Sequence, residues 1–316
     1  MNLPGRRCSA CGYAPVHFFP HKKTQPCMKF APIITFLLFL NINNLYAQWQ
    51  EKPTPVGGYS LSMAEQNGVL FSASYSHVFR SFDGEVWSRV EALPYEDDFN
   101  RNYQLQTAGN RLYAIWYEAF AAPTSVVAVY YTEDAGEHWE EYPLQPNTTR
   151  IFFLGERLFW LRDDNRLFFI GDNGLESPWW EPLPNKLLDM EMKNDTAYLL
   201  STYDLSFSTD TGRTWTPMFA GFQLNPNAPE TVLYTAGSNL IIGSWVTESV
   251  STDGGHFFVP IAPENIYGRF YDMVAYQGKL YGARSSVIQV SSDGGLNWET
   301  DVRIPALTFL VRGDTL

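Results

Sequence analysis

A short motif recurs six times along this chain, and its spacing constrains the fold more than any other feature. The clearest copies read Ser/Thr-x-Asp-x-Gly-x-x-Trp, and we call the motif the box. The box aspartates are Asp83, Asp134, Asp172, Asp210, Asp253 and Asp293. Successive aspartates are separated by 51, 38, 38, 43 and 40 residues. A period near 40 residues, built from short strands, predicts a propeller or a similar array of repeated sheets.

The segments between boxes predict four short strands in each repeat. In the last complete repeat, the predicted strands 270–276 and 279–283 flank Gln277-Gly278, a dipeptide typical of a tight hairpin turn. A third strand, 287–291, precedes the box, and a fourth, 298–302, follows it. The same order recurs along the chain without a long helical periodicity. The sequence therefore predicts an all-β protein with four-stranded blades around an axis.

Each box residue type suits a structural role. An aspartate can accept hydrogen bonds from the backbone of its own turn, a glycine adopts backbone angles that other residues resist, and a tryptophan anchors the turn. Catalytic carboxylates or calcium ligands are a weaker alternative, because six repeats of one residue favour a repeated local role. The residues assigned to structure are Asp83, Trp87, Asp134, Gly136, Trp139, Asp172, Gly174, Asp210, Gly212, Trp215, Asp253, Gly255, Asp293, Gly295 and Trp298.

The motif resembles the Asp-box, or BNR, repeat family over most of the chain after about residue 59. That family includes sialidases, xyloglucanase-type glycoside hydrolases, sortilin-type receptors and a photosystem assembly factor. The resemblance implies a β-propeller but no particular chemistry. Six complete blades are expected, together with the start of a seventh, because residues 305–311 match another first strand. We expect a propeller over 48–316 that is truncated at its C-terminus, and the rival is a finished six-bladed ring.

The N-terminal region predicts a secretory signal. Residues 28–47 contain a basic start, a short apolar run and Ala47 at the expected cleavage point. Residues 1–27 are then upstream sequence outside the true protein, or else an unusually long basic region of the signal. All three cysteines lie in residues 1–27, so the mature chain would lack them. We expect secretion, with the periplasm, cell surface and exterior left open, and no membrane span in the mature chain.

The charge of the chain excludes one class of partner. Five of the 22 Lys and Arg residues precede residue 48, and that stretch holds none of the 34 Asp and Glu residues. The remainder has 17 basic residues against 34 acidic ones, a formal net charge of −17. Such a surface repels phosphate backbones, so nucleic acid is not an expected partner.

The ligand face is expected where the blades connect, opposite the boxes. Arg101, Arg150 and Arg269 stand at or just before predicted first strands, and Tyr267 is nearby in sequence. An arginine cluster could bind a carboxylate, as a sialidase requires. The alternative is that these arginines are solvated or paired with neighbouring carboxylates.

The favoured function is a secreted binding or scaffold module whose partner is a glycan or an extracellular protein. No catalytic set, metal site or cofactor site is identifiable in the sequence, so an enzyme is not favoured. The alternative function is a glycoside hydrolase of the exo-sialidase kind. A third interpretation is that the chain is the N-terminal part of a longer bacterial surface protein.

Overall fold

The computed structural model describes residues 61–95, 101–118, 125–171, 174–176, 183–220, 224, 231–243, 248–261, 270–284, 286–303 and 308–311. All of them belong to one compact unit, Lys52–Leu316. The predicted upstream segment and signal peptide lie outside the described residues, as do Asp172, Tyr267 and Arg269.

The described residues form 24 strands, which assemble into six four-stranded sheets. Blades 1 to 3 comprise β1 (Ser62–Gln66), β2 (Val69–Ala73), β3 (Val78–Ser81), β4 (Ser88–Arg89), β5 (Arg101–Ala108), β6 (Arg111–Glu118), β7 (Val126–Thr132), β8 (Glu140–Glu141), β9 (Thr148–Leu154), β10 (Arg157–Arg162), β11 (Leu167–Gly171) and β12 (Gly174–Glu176). Blades 4 to 6 comprise β13 (Leu187–Lys193), β14 (Thr196–Ser201), β15 (Asp204–Ser208), β16 (Thr216–Ala220), β17 (Val232–Ala236), β18 (Asn239–Gly243), β19 (Ser249–Ser251), β20 (Val259–Pro260), β21 (Asp272–Tyr276), β22 (Lys279–Ala283), β23 (Ile288–Ser291) and β24 (Glu299–Val302).

Each blade is an antiparallel meander in which consecutive strands pair, and the six blades form a ring. The prediction of an all-β propeller with six complete four-stranded blades is confirmed. First strands of neighbouring blades contact one another, as in the pairs β1–β5, β9–β13 and β13–β17, so the first strands are innermost. No described residue belongs to a helix, and therefore none contributes a helix able to cross a membrane.

The first hairpin of each blade follows from its turn residues. Asn67 and Gly68 have φ values of 52° and 81°, and they connect the paired residues Gln66 and Val69. Two consecutive residues with positive φ are typical of the hairpin turn whose twist matches that of the flanking strands. The predicted turn at Gln277-Gly278 has the same geometry, with φ values of 48° and 76°.

The hydrophobic core consists of separate layers between neighbouring blades. The five described clusters of buried residues each combine side chains from two consecutive blades. All five residues of β18 are buried, but Leu240 and Ile242 pack toward blade 4, whereas Ile241 packs toward blade 6. Because successive side chains of a strand point to opposite faces, a fully buried second strand serves two interfaces at once.

A second link between blades is polar and runs along the inner strands. Asp189 on β13 accepts a hydrogen bond of 2.8 Å from the backbone N–H of Leu233 on β17. Asp272 on β21 likewise accepts the N–H of Phe309 at 2.7 Å and the hydroxyl of Thr308 at 3.0 Å. Residues 308–311 therefore contact blade 6, but they form no strand, and the start of a seventh blade stays a prediction.

Candidate functional site

The boxes form self-contained hydrogen-bonded turns between the third and fourth strands. Asp210 Oδ1 accepts the backbone N–H groups of Arg213 at 3.0 Å and Thr214 at 2.9 Å, and the hydroxyl of Ser208 at 2.7 Å. The Ser208 oxygen in turn accepts the N–H of Gly212 at 2.9 Å. The same pairing of a hydroxyl, a carboxylate and following N–H groups occurs at Asp83, Asp134, Asp253 and Asp293.

These contacts hold the box carboxylates in their ionised form. Burial alone would raise the pKa of Asp210, but hydrogen bonds from Thr214 and Ser208 lower it to about 2. The backbone N–H of His138 is the main cause of the lowered pKa of Asp134. A carboxylate already occupied by donors is a poor general acid and a poor metal ligand. Among the described residues, no group of three or more His, Cys, Asp or Glu side chains is placed to hold a metal ion.

The box tryptophans also contact their own turns or a neighbouring blade. The indole N–H of Trp215 donates to the carbonyl of Gly212 at 3.0 Å, and that of Trp298 donates to Gly295 at 2.9 Å. Trp139 packs its ring edge-on against Phe71 of blade 1, and Trp87 is half-buried. Gly174 pairs with Gly171 at the start of β12, and Asp172 lies outside the described residues.

Opposite the boxes lies the mouth face, which we define as the end of the ring where the inner strands begin. Arg101 is the first residue of β5, and its guanidinium lies 4.9 Å from the ring centroid of Trp116. Trp116 is itself stacked on Tyr103, with ring centroids 5.6 Å apart and an interplanar angle of 6°. Trp116, stacked on Tyr103, therefore holds the Arg101 guanidinium at the mouth face by a cation–π contact.

Arg150 lies further along the channel wall, on β9. Its Nη1 donates to the carbonyl of Leu188 on the next inner strand, and its guanidinium lies 4.8 Å from the Phe152 ring. Its positive charge acts on Tyr117 of blade 2, where burial raises the phenol pKa to about 12 although Arg150 opposes that shift. Arg150 also acts on Asp189 of blade 4, whose pKa is raised by burial and lowered by this charge. Arg150 thus interacts with both neighbouring blades.

Three carboxylates on the inner strands were not predicted as site residues. Asp189 and Asp272 each precede the first turn of their blade by five residues, as Arg150 does in blade 3. Glu191 follows Asp189 by two residues on β13. Burial raises the pKa of Glu191 to about 8, and repulsion from Asp189 and Asp272 adds to the shift. Asp189 and Glu191 are both partly buried. A signal was present in the sequence, because acidic residues interrupt the otherwise apolar run 187–192.

A buried ion pair links blades 5 and 6 near the mouth face. Arg284 and Glu248 are 4% and 8% exposed, and a guanidinium nitrogen contacts the carboxylate at 2.5 Å. Arg284 also donates to Gln289 at 2.7 Å and lies 3.8 Å from the ring centroid of Phe270. Glu248 accepts the backbone N–H of Phe270 at 3.3 Å, so it fixes the position where the chain re-enters blade 6. Sequence reasoning missed this pair because its members are 36 residues apart.

The described part of the chain thus places two cations and three carboxylates on the inner strands. They are Arg101, Arg150, Asp189, Glu191 and Asp272. Of the four predicted ligand-face residues, Arg101 and Arg150 lie on inner strands, and Arg269 and Tyr267 fall outside the described residues. The arrangement can bind groups of either charge by ion pairing and hydrogen bonding.

Comparisons with known proteins identify the fold but not a family. No family model and no curated protein sequence matches the chain. Among solved structures, it is similar to YCF48 from Cyanidioschyzon merolae, with 11% sequence identity, a TM-score of 0.55, and coverage of 80% of this chain and 88% of that one. It is also similar to a structure of YCF48 bound to D1 peptide, with 16% identity, a TM-score of 0.53, and coverage of 77% and 82%. At these identities the similarity supports a β-propeller fold, and membership of the Asp-box family stays a prediction.

Proposed function

We propose that this chain is a secreted β-propeller that acts as a scaffold and binds a segment of another protein at its mouth face. The observation that carries the proposal is the charged lining of the inner strands. Burying Glu191 beside Asp189 costs free energy. The fold accepts an apolar residue at this position, because the inner strands of blades 1, 3 and 6 place Ala64, Phe152 and Val274 three residues before the first turn. Groups kept in such an unfavourable arrangement are candidates for function.

A polypeptide fits this lining better than a uniformly charged ligand. Arg101 at the mouth can pair with a carboxylate of the partner, and Glu191 inside the channel can accept hydrogen bonds from a lysine or a backbone amide. The similarity to YCF48, one structure of which is bound to a peptide, supports a protein partner. Secretion rests on the predicted signal at 28–47.

The test is selection from a random peptide library displayed on phage, followed by affinity measurements with two arginine variants. Arg101→Ala removes the mouth cation, whereas Arg111→Ala is a matched control. Arg111 is also stacked on an aromatic ring, at 4.5 Å from the centroid of Tyr131, but it begins β6 and lies at the opposite end of the same hairpin. We expect Arg101→Ala to weaken selected peptides about tenfold or more and Arg111→Ala to leave them unchanged.

Other outcomes would contradict the proposal. Failure to select any peptide, together with binding on a glycan array, would make the partner a glycan. Turnover of a fluorogenic sialoside would support the exo-sialidase alternative instead. Equal losses in the Arg101 and Arg111 variants would place the binding site away from the mouth face.

A further inference from the structure

Three of the five boxes whose aspartate the structure describes contain a second hydrogen bond. In three boxes, the residue directly before the tryptophan contacts the outer carboxylate oxygen, Oδ2, through its side chain. These contacts are His138 Nδ1 to Asp134 at 2.6 Å, Thr214 Oγ1 to Asp210 at 2.6 Å, and Asn297 Nδ2 to Asp293 at 2.6 Å. A polar side chain at this position therefore stabilises the turn.

The first and fifth boxes depart from this pattern, because Val86 and Phe257 precede the final aromatic residue of the box. Phe257 occupies the position of Thr214 and has no side-chain donor for Asp253. Its ring is not used for packing either, because 62% of the residue is exposed. An exposed phenyl group in place of a hydrogen-bonding residue serves neither the turn nor the core.

Two further exposed apolar side chains lie in the same blade and in the neighbouring sixth box. Ser251, which begins the fifth box, pairs with Leu240 on β18, and Asn239 on the same strand donates to the carbonyl of Gly294 in the sixth box at 2.7 Å. The two boxes are therefore neighbours on either side of the start of β18. We define the box-face patch as Phe257 with Val259 and Leu296, which are 37% and 40% exposed.

The charges around this patch select the kind of partner. The box aspartates Asp253 and Asp293 have lowered pKa values because hydrogen bonds stabilise their ionised forms, and both are exposed beside the patch. Glu299 follows on β24 and is also exposed. A second copy of this acidic chain would bring like charges together, whereas a cationic partner would be attracted.

We infer that the box-face patch docks a segment of another protein that presents apolar side chains next to lysine or arginine. The segment would cover Phe257, Val259 and Leu296, and its cations would lie against Asp253 and Asp293. This surface is on the face opposite the mouth, so a protein bound there leaves the channel accessible. The scaffold would then hold two partners at once.

The test uses Phe257→Thr, which supplies the donor that Thr214 supplies in the fourth box. The probe is a short fluorescent peptide composed of leucine and lysine, followed by fluorescence anisotropy at low and high salt. We expect the wild-type protein to bind it, with weaker binding at high salt. We expect the variant to bind about tenfold more weakly, yet to unfold at a higher urea concentration because the box gains a hydrogen bond.

Val86→Thr is the matched control, because Val86 stands before Trp87 in the first box and is also exposed, at 72%. It should raise the urea midpoint without changing peptide affinity. A lower urea midpoint in Phe257→Thr would show that Phe257 stabilises the fold. An unchanged affinity of this variant for the peptide would show that the box-face patch does not bind it. Equal binding of a peptide with glutamate for lysine, or binding of phosphatidylcholine vesicles but not of the peptide, would also overturn the inference. Phe257→Thr should leave mouth-face binding intact, so the two proposals can fail separately.

Discussion

The substitution Gly212→Ala tests whether a box links its blade to the preceding one. Gly212 has a φ of 83°, and a Cβ atom placed there would lie 2.8 Å from Phe159 Cζ and 3.2 Å from Leu154 Cδ1. Both neighbours belong to blade 3, whereas Gly212 belongs to blade 4. The left-handed backbone costs an alanine about 1–2 kcal/mol. Overpacking against a buried phenyl ring costs about 1–3 kcal/mol more, so the free energy of unfolding should fall by about 2–5 kcal/mol.

Gly68→Ala separates the backbone effect from the packing effect. Gly68 has nearly the same φ, 81°, but no atom lies within 4 Å of the position of its Cβ. Its variant should lose only the backbone contribution of about 1–2 kcal/mol. The measurement is equilibrium urea unfolding followed by tryptophan fluorescence, with comparison of the slopes to check that the transition stays cooperative. Equal losses in the two variants would refute the idea that the box glycine is required by contact with blade 3.

Two further predictions concern the charged groups. The pKa of Glu191, raised to about 8, means that the folded state favours its protonated form, so its contribution to stability is full below about pH 4.5 and is lost as pH rises toward 8. Glu191→Gln should have the same free energy of unfolding as the wild type near pH 4.5. At pH 9 its free energy of unfolding in urea should be higher, by up to about 1.4 kcal/mol for each unit of pKa shift. Parallel pH profiles of the two proteins would contradict this. Arg284→Met should lower the free energy of unfolding by about 3–5 kcal/mol, because it leaves the Glu248 carboxylate buried without its cation. Adding Glu248→Gln should recover part of that loss, and a double variant as unstable as the single one would show that the charge of Glu248 is not the cause.

The sequence predicted the repeated elements because their determinants are local. Strand alternation, the turn dipeptides such as Gln277-Gly278 and the box itself each depend on residues within about ten positions of one another. The predicted hydrogen-bonding ability of the box aspartates corresponds to the contacts of Asp210. Residues 308–311, which the sequence predicts to belong to another first strand, contact Asp272 but form no strand.

The candidate site was less predictable, because its members come from different repeats. Arg101 and Arg150 were selected for their position at strand starts, and they do lie on inner strands. The carboxylates Asp189 and Glu191 were overlooked, since their place in the apolar run 187–192 does not by itself show which neighbouring blade they face. Only the ring places Asp189 beside Arg150 of the preceding inner strand, and Glu191 beside Asp189.

By itself, then, the sequence predicted the six complete blades, the four strands within each blade and the chemistry of the box turns. The tertiary structure decided which blade each side chain contacts. Ile241 packs toward blade 6 and Leu240 toward blade 4. A Cβ atom at Gly295 of the sixth box would lie 2.5 Å from Ile241 Cδ1 of the fifth blade. These contacts join residues about 40 or more positions apart, and their geometry depends on how the blades stack around the axis, which no local pattern encodes.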